Sequence, residues 1–142
     1  MPNESNDSQR DRDRHPSRQR TRLLVVDDQP DFVLSLSRML QMCGFEVKTA
    51  LNGRAALEIA ARFCPRFVLL DLRLPNMDGY EVARRLRAEA GLESATLIAV
   101  TAYGDEEAWR RSHEAGFDSH LVKPVAPGEL LALLSRSEAA SP

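Results

Sequence analysis

The sequence predicts a single α/β domain built on one doubly wound, five-stranded parallel sheet with helices on both faces. Three observations lead there. Short apolar runs alternate five times with stretches of helical periodicity, each about 10 to 15 residues long, and that alternation implies parallel strands joined by right-handed crossovers. Two of the runs, RLLVV from Arg22 and FVLLD from Phe67, are apolar with hardly a polar position, as strands covered on both sides are. A length of 142 residues supports one core of useful size but not comfortably two.

RLLVV is the first strand, and Pro30 stands where the following helix would open. Phe32, Val33, Leu36, Met39, Leu40 and Cys43 then recur at helical spacing until Gly44, a C-terminal stop. FEVKTA alternates Phe45, Val47 and Thr49 against Glu46 and Lys48, which marks a strand nearer the sheet edge. Asn52 caps a second helix carrying Ala56, Leu57, Ala60 and Ala61, and Pro65 lies just past its end. FVLLD is the third strand, closed by Asp71. The loop LRLPNMDG leads from it into a helix through Val82, Ala83 and Leu86, whose outer face holds Arg84, Arg85 and Arg87. ATLIAVT is the fourth strand, ending at Thr101, and a polar helix from roughly Asp105 to Ala115 stops at Gly116. SHLV is the fifth strand, and Pro127 opens a last helix with Leu130, Leu131, Leu133 and Leu134.

Hydrophobic residues make up 43% of the chain and charged residues 28%, values that fit a globular protein and neither a fibrous nor a wholly disordered one. No apolar run approaches the ~20 residues that cross a bilayer. The N-terminus MPNESNDSQRDRDRH lacks the apolar segment of a signal peptide, so a cytoplasmic protein is expected. Residues 1–20 hold almost no aliphatic or aromatic side chains and read as a disordered Arg/Asp-rich tail; the domain is expected at 21–137 and a short C-terminal tail at 138–142. Six arginines against four acids give residues 1–22 a charge of +2, which leaves −4 for the remainder of a chain whose total is −2. The interleaved acids dilute the arginine field, and no aromatic side chain there can stack on bases, which argues against direct nucleic-acid binding. Cys43 and Cys64 lack metal-type spacing and are expected as reduced thiols, one of them buried.

In open parallel sheets the ligand site lies beyond the carboxyl ends of the strands, where the strand order reverses. Those ends carry Asp27 and Asp28 after the first strand, Asp71 after the third, Thr101 after the fourth and Lys123 after the fifth. Two carboxylates ~4 Å apart repel by about 4 kcal/mol at an effective dielectric near 20, so the rim needs positive charge. Lys123 offsets one carboxylate; a hard divalent ion with oxygen ligands, Mg²⁺ above all, would hold the others. A carboxylate beside such an ion, with an ammonium and a hydroxyl close by, is equipped to attack phosphorus and form an acyl phosphate. The sequence has no glycine-rich phosphate loop, so the phosphoryl group must come from a donor. Asp31 and Asp78 read as charges at helix N-termini, His15 and His113 as solvated, and Trp109 as packing against its own helix or a partner.

LLVVDDQP, VLLDLRLPNMDGYE, IAVTAYGD and HLVKPV, in that order and spacing, resemble the response-regulator receiver domain of two-component signalling over roughly Arg22 to Arg136. The resemblance implies a (βα)5 flavodoxin-like receiver fold. It implies Asp71 as phosphoacceptor, with Asp28 and Asp71 as direct Mg²⁺ ligands, the backbone carbonyl of Arg73 as another, and Asp27 acting largely through metal-bound water. Lys123 would pair with the phosphoryl group and Thr101 would swing to hydrogen-bond it. Ala102 would leave that group accessible, while Pro75 and Gly79 shape the loop after the acceptor. Many members carry Tyr or Phe where this chain has His120, so the switch pair here would be Thr101 and His120, and the ring is titratable.

The function expected is a receiver that takes a phosphoryl group on Asp71 from a histidine kinase or histidine phosphotransfer protein and switches its binding to a downstream protein target. It would catalyse only its own Mg²⁺-dependent phosphorylation and dephosphorylation, and so would not be an enzyme in the usual sense. TAYGDEE and HLVKP resemble receivers that stand alone or work beside hybrid kinases in phosphorelays. No membrane or direct nucleic-acid partner is expected, and the chain would be a monomer or weak dimer. Two other readings are a Mg²⁺-dependent phosphohydrolase with an aspartate nucleophile and a phosphorylation-independent pseudo-receiver acting as a binding module. Against the first, Arg73 stands where such enzymes carry a second acid; against the second, no residue of the cluster is missing.

Overall fold

The continuous apolar runs become the inner strands of the sheet, because every side chain they carry must find cover on one face or the other. A computed structural model describes residues 20–102 and 106–140. Strands β1 (Arg22–Val26), β2 (Glu46–Ala50), β3 (Phe67–Asp71), β4 (Thr96–Thr101) and β5 (Ser119–Val122) pair in parallel in the order β2-β1-β3-β4-β5. Helices α1 (Pro30–Met42), α2 (Gly53–Phe63), α3 (Gly79–Ala88), α4 (Glu106–Glu114) and α5 (Pro127–Ala140) follow the strands in turn. This is the doubly wound, flavodoxin-like arrangement the sequence predicts. The tail expected at residues 1–20 lies outside the described residues except for Arg20, as do residues 103–105 of the IAVTAYGD segment.

Side-chain alternation along the strands divides the core in two. Leu23, Val25, Phe67, Leu69, Ile98, Val100 and Leu121 face α1 and α5, where they meet Val33, Leu36, Leu40, Leu130 and Leu134. Leu24, Val26, Val68, Leu70, Leu97 and Ala99 face the opposite layer, where Ala56, Ala60, Val82, Ala83, Leu86 and Phe117 cover them. Burying each of the larger side chains contributes roughly 1.5–3 kcal/mol, so the two layers together hold the sheet's strands in one register. β2 lies at the edge, as expected, but its alternation is weaker than the sequence suggests: Phe45 and Val47 are half-buried and Thr49 is exposed.

The helix ends follow local chemistry. Asn52 Oδ1 accepts from the Ala55 N–H at 2.8 Å and starts α2, and Asp78 Oδ1 accepts from the Glu81 N–H at 2.8 Å and starts α3. Asp31 sits in the first turn of α1. Gly44, with φ +100°, ends α1 in a left-handed conformation. At Gly79 a Cβ would lie 2.6 Å from the Leu72 Cα and 2.7 Å from the Asp71 carbonyl oxygen, so only glycine lets α3 begin this close to the end of β3. The last helix continues to Ala140, past the boundary expected at 137.

Two expectations are corrected. Both cysteines are exposed, because each occupies a helix C-cap, Cys43 after α1 and Cys64 after α2, beyond the last position that packs on the sheet. Arg87, expected on the outer face of α3 with Arg84 and Arg85, instead turns back into the domain, its side chain only 22% exposed. Its guanidinium donates to the carbonyls of Leu92 at 2.8 Å, Ala95 at 2.5 Å and Gly116 at 2.8 Å, and to Asp118 Oδ2 at 2.8 Å. Asp118 Oδ2 also accepts the Leu97 N–H at 2.8 Å, so one planar fork ties the end of α3, the entry to β4 and the approach to β5.

Removing that fork strands several carbonyls at once. Arg87→Ala lowers unfolding free energy in urea by about 2–4 kcal/mol, and Arg87→Lys recovers less than half of the loss, since one ammonium cannot span acceptors on two loops. Equal midpoints for the wild type and Arg87→Ala would show that the clasp contributes nothing.

Candidate functional site

From β1 the chain runs out to the edge strand β2 and then crosses back to β3 on the other side of β1, so the strand order reverses between β1 and β3. Val26 pairs with Leu70, and the residues that follow, Asp27 and Asp71, therefore leave the sheet side by side. Asp27 is 1% exposed and Asp71 7%, whereas Asp28 is exposed. Carboxylate oxygens of Asp27, Asp28 and Asp71 all lie within 4.8 Å of one another. The backbone holds them there: the Asp27 N–H donates to the Ala50 carbonyl at 3.1 Å, and the Leu72 N–H donates to the Val100 carbonyl at 3.1 Å. Each buried carboxylate also accepts one N–H from its own loop, Asp27 Oδ1 from Gln29 at 3.0 Å and Asp71 Oδ1 from Arg73 at 2.9 Å.

Lys123 enters from β5, its N–H donating to the Thr101 carbonyl at 2.6 Å. Its ammonium lies 2.6 Å from Asp27 Oδ2 and 3.4 Å from Asp71 Oδ2, and 4.5 Å from the centre of the Phe32 ring. The contact with Asp27 is a close ion pair without hydrogen-bond alignment, and Asp27 Oδ2 accepts no other hydrogen bond although it is buried. Burial lifts the Asp71 pKa above its ordinary 3.8, and the Asp27 charge adds to the rise; the Arg73 N–H and Lys123 oppose it without cancelling it. For Lys123, burial acts downward, yet contact with Asp27 and the charges of Asp71 and Asp27 outweigh it and raise the pKa above 10.5. A buried carboxylate oxygen without an aligned donor, inside a set of three oxygen-bearing acids, suits a hard cation such as Mg²⁺.

The sequence-predicted residues thus divide. Asp27, Asp28, Asp71 and Lys123 converge at the reversal of strand order, and Arg73 joins them through its N–H. Thr101 is buried at the tip of β4, and its Oγ1 lies 3.0 Å from His120 Nε2. A 280 Å³ cleft lined by Arg73, Tyr80, Thr101, Ala102 and Arg111 opens beside it. Trp109 packs against both His113 on its own helix and His120 on β5, with ring centroids 6.0 and 5.8 Å apart. Two contacts escape sequence reasoning: Phe32 beneath the Lys123 ammonium, which helical spacing marks only as core, and Arg111 over the Tyr80 ring at 4.3 Å.

The raised Asp71 pKa has a sign that stability measures directly. A folded value above the unfolded one means that the protonated carboxyl stabilises the fold below pH 3.8 and that this contribution is lost as pH climbs through the raised value. In EDTA at pH 7.5, Asp71→Asn therefore melts higher than the wild type by a few degrees, on the scale of ~1 kcal/mol, and the gap closes toward pH 4. A lower melting temperature for Asp71→Asn at pH 7.5 contradicts the burial and repulsion described here.

The sequence profile of the family described as response regulator receiver domain matches residues 23–135. The transcriptional regulatory protein PrrA of Mycobacterium leprae (strain TN) is 41% identical over 111 residues, 78% of this chain and 47% of PrrA, so the chain spans about half the length of that relative. Among solved structures, the chemotaxis protein CheY4 of Vibrio cholerae is similar with a TM-score of 0.79 at 30% identity, covering 83% of this chain and 98% of CheY4. The BeF3-activated receiver domain of DrrB, from Thermotoga maritima, gives a TM-score of 0.76 at 31% identity over 85% of this chain and 99% of that domain. A profile match over most of the chain agrees with the sheet order and the acidic rim, and the chain belongs to the response-regulator receiver domain family of two-component signalling.

Proposed function

We propose that the domain accepts a phosphoryl group on Asp71 from a phosphohistidine of a kinase or phosphotransfer protein, and that the acyl phosphate changes its affinity for a downstream protein. The observation that carries this reading is the convergence of three carboxylates within 4.8 Å, with the Lys123 ammonium 2.6 Å from one and 3.4 Å from another. A carboxylate oxygen of Asp71 forms the new bond to phosphorus as the bond from phosphorus to the donor imidazole nitrogen breaks; the imidazole keeps that electron pair and is protonated from solvent. Lys123, held against Asp71, neutralises a phosphoryl oxygen as charge builds there. Asp27, Asp28, Asp71 and the Arg73 carbonyl would hold Mg²⁺. Bound there, the ion would supply charge neutralisation to the phosphoryl oxygens.

Water attacking phosphorus later breaks the bond to Asp71, releases inorganic phosphate and restores the carboxylate. The domain thus undergoes a resettable modification in place of sustained turnover. Arg73 supports that reading over the phosphohydrolase one: two residues beyond Asp71 it supplies a guanidinium, which cannot serve as the second acid of a hydrolase. The complete acidic cluster favours phosphorylation over a pseudo-receiver role. A donor of that class would set the work in the cytoplasm, alone or beside a hybrid kinase.

Labelling by radioactive acetyl phosphate in Mg²⁺ checks the assignment. Asp71→Asn removes the label, Lys123→Met slows labelling by ~10²-fold or more, and EDTA abolishes it in the wild type. Label retained by Asp71→Asn at the wild-type level would place the acceptor elsewhere.

A further inference from the structure

Among the described residues β2 pairs with β1 alone, so its other edge is open. The Glu46 N–H donates to the Thr21 carbonyl at 2.9 Å, and the Ala50 carbonyl accepts from the Asp27 N–H at 3.1 Å. Backbone groups of successive strand residues point to alternate sides, so Glu46, Lys48 and Ala50 turn toward β1. Phe45, Val47 and Thr49 turn their carbonyls to the open edge, and Val47 and Thr49 their N–H groups as well; the Phe45 N–H is taken by the Leu40 carbonyl at 3.1 Å. Side chains alternate too. Phe45 and Val47 pack toward α1, whereas Glu46 and Lys48 are exposed on the α2 side, with the Lys48 ammonium 5.5 Å from the centre of the Phe63 ring and Glu46 Oε1 3.7 Å from Arg22 Nε. Met42, 87% accessible, and Leu51, 44% accessible, flank the strand at its two ends.

We propose that two copies of the chain associate at this edge, β2 against β2 in antiparallel pairing about a two-fold axis at Val47. Charges on an edge strand ordinarily block such pairing. Here Glu46 and Lys48 are of opposite sign and two residues apart, so the two-fold sets Glu46 of each copy opposite Lys48 of the other. In that register the two Val47 residues exchange a pair of N–H to carbonyl hydrogen bonds, and each Thr49 N–H donates to the Phe45 carbonyl of the other copy. Leu51 of one copy is brought toward Met42 of the other, which covers two exposed apolar side chains. Sliding one copy by two residues sets Glu46 against Glu46 or Lys48 against Lys48, and sliding it by one sets outward backbone groups against inward ones. The charge pattern therefore selects a single register. The contact is small and the association weak, with a dissociation constant on the order of 100 μM. The opposite edge of the sheet, β5, stays free.

Sedimentation equilibrium of the full chain from about 10 μM to 1 mM, at near-physiological salt, tests the pairing. The wild type passes from monomer to dimer across that range. Glu46→Lys sets Lys against Lys and Lys48→Glu sets Glu against Glu, so each variant alone associates more weakly by about tenfold or more. Mixed in equal amounts, the two single variants restore opposite charges at both positions and associate within about threefold of the wild type. Val47→Pro removes an N–H that faces the open edge, a place where a strand tolerates proline, and abolishes the dimer. Both charge reversals lie at exposed side chains and decide the matter even where proline disturbs the fold. The proposal is overturned by a wild type that stays monomeric throughout, by single reversals that dimerise as the wild type does, by a mixture no tighter than its components, or by a folded Val47→Pro that still dimerises.

Discussion

The carboxylates of Asp27, Asp28 and Asp71 repel one another, and the domain nevertheless holds their oxygens within 4.8 Å. Nothing local favours that; the parallel sheet imposes it. Two buried layers fix the register of β1 against β3, and the register brings Asp27 and Asp71 out together at the reversal of strand order. At such separations each like-charged pair costs about 4 kcal/mol at an effective dielectric near 20, so the site is bought with core stability. Lys123 recovers part of the cost. One ammonium cannot balance three carboxylates, however, and the buried Asp27 Oδ2 still lacks an aligned donor. The uncompensated negative charge is what suits the rim to a divalent cation.

How much of this was legible in the sequence depends on the range of the interaction. Strands such as FVLLD and caps such as Asn52 and Asp78 are determined within a few residues, and they appear where the local pattern puts them. The strand tips were legible too, because the ligand rule for open parallel sheets needs only the element order. Arg87 was misplaced since its partners, Leu92, Ala95, Gly116 and Asp118, come from two loops whose approach only the tertiary fold creates. Cys43 was drawn toward the core by helical spacing that ends one residue too early for it to be covered.

The separation of Thr101 from the acidic residues was hidden for a different reason. Each tip residue is visible in sequence, but the face it occupies depends on its parity relative to buried neighbours in the same strand and on the register between strands. Asp71 shares its face with Leu69, whereas Thr101 shares its face with Ala99, and β4 pairs Ala99 with His120. The site is therefore two linked clusters, a charged one of three carboxylates and an ammonium and a neutral one, Thr101–His120–Trp109, that reaches the surface of α4.

If a cation makes the crowded carboxylates compatible, magnesium calorimetry on the metal-free chain at pH 7.5 will register its binding. The wild type takes up Mg²⁺ saturably, and the uptake is lost in Asp27→Asn and in Asp28→Asn. Absence of any magnesium-dependent heat in a folded wild type, or uptake unchanged in both variants, would contradict it.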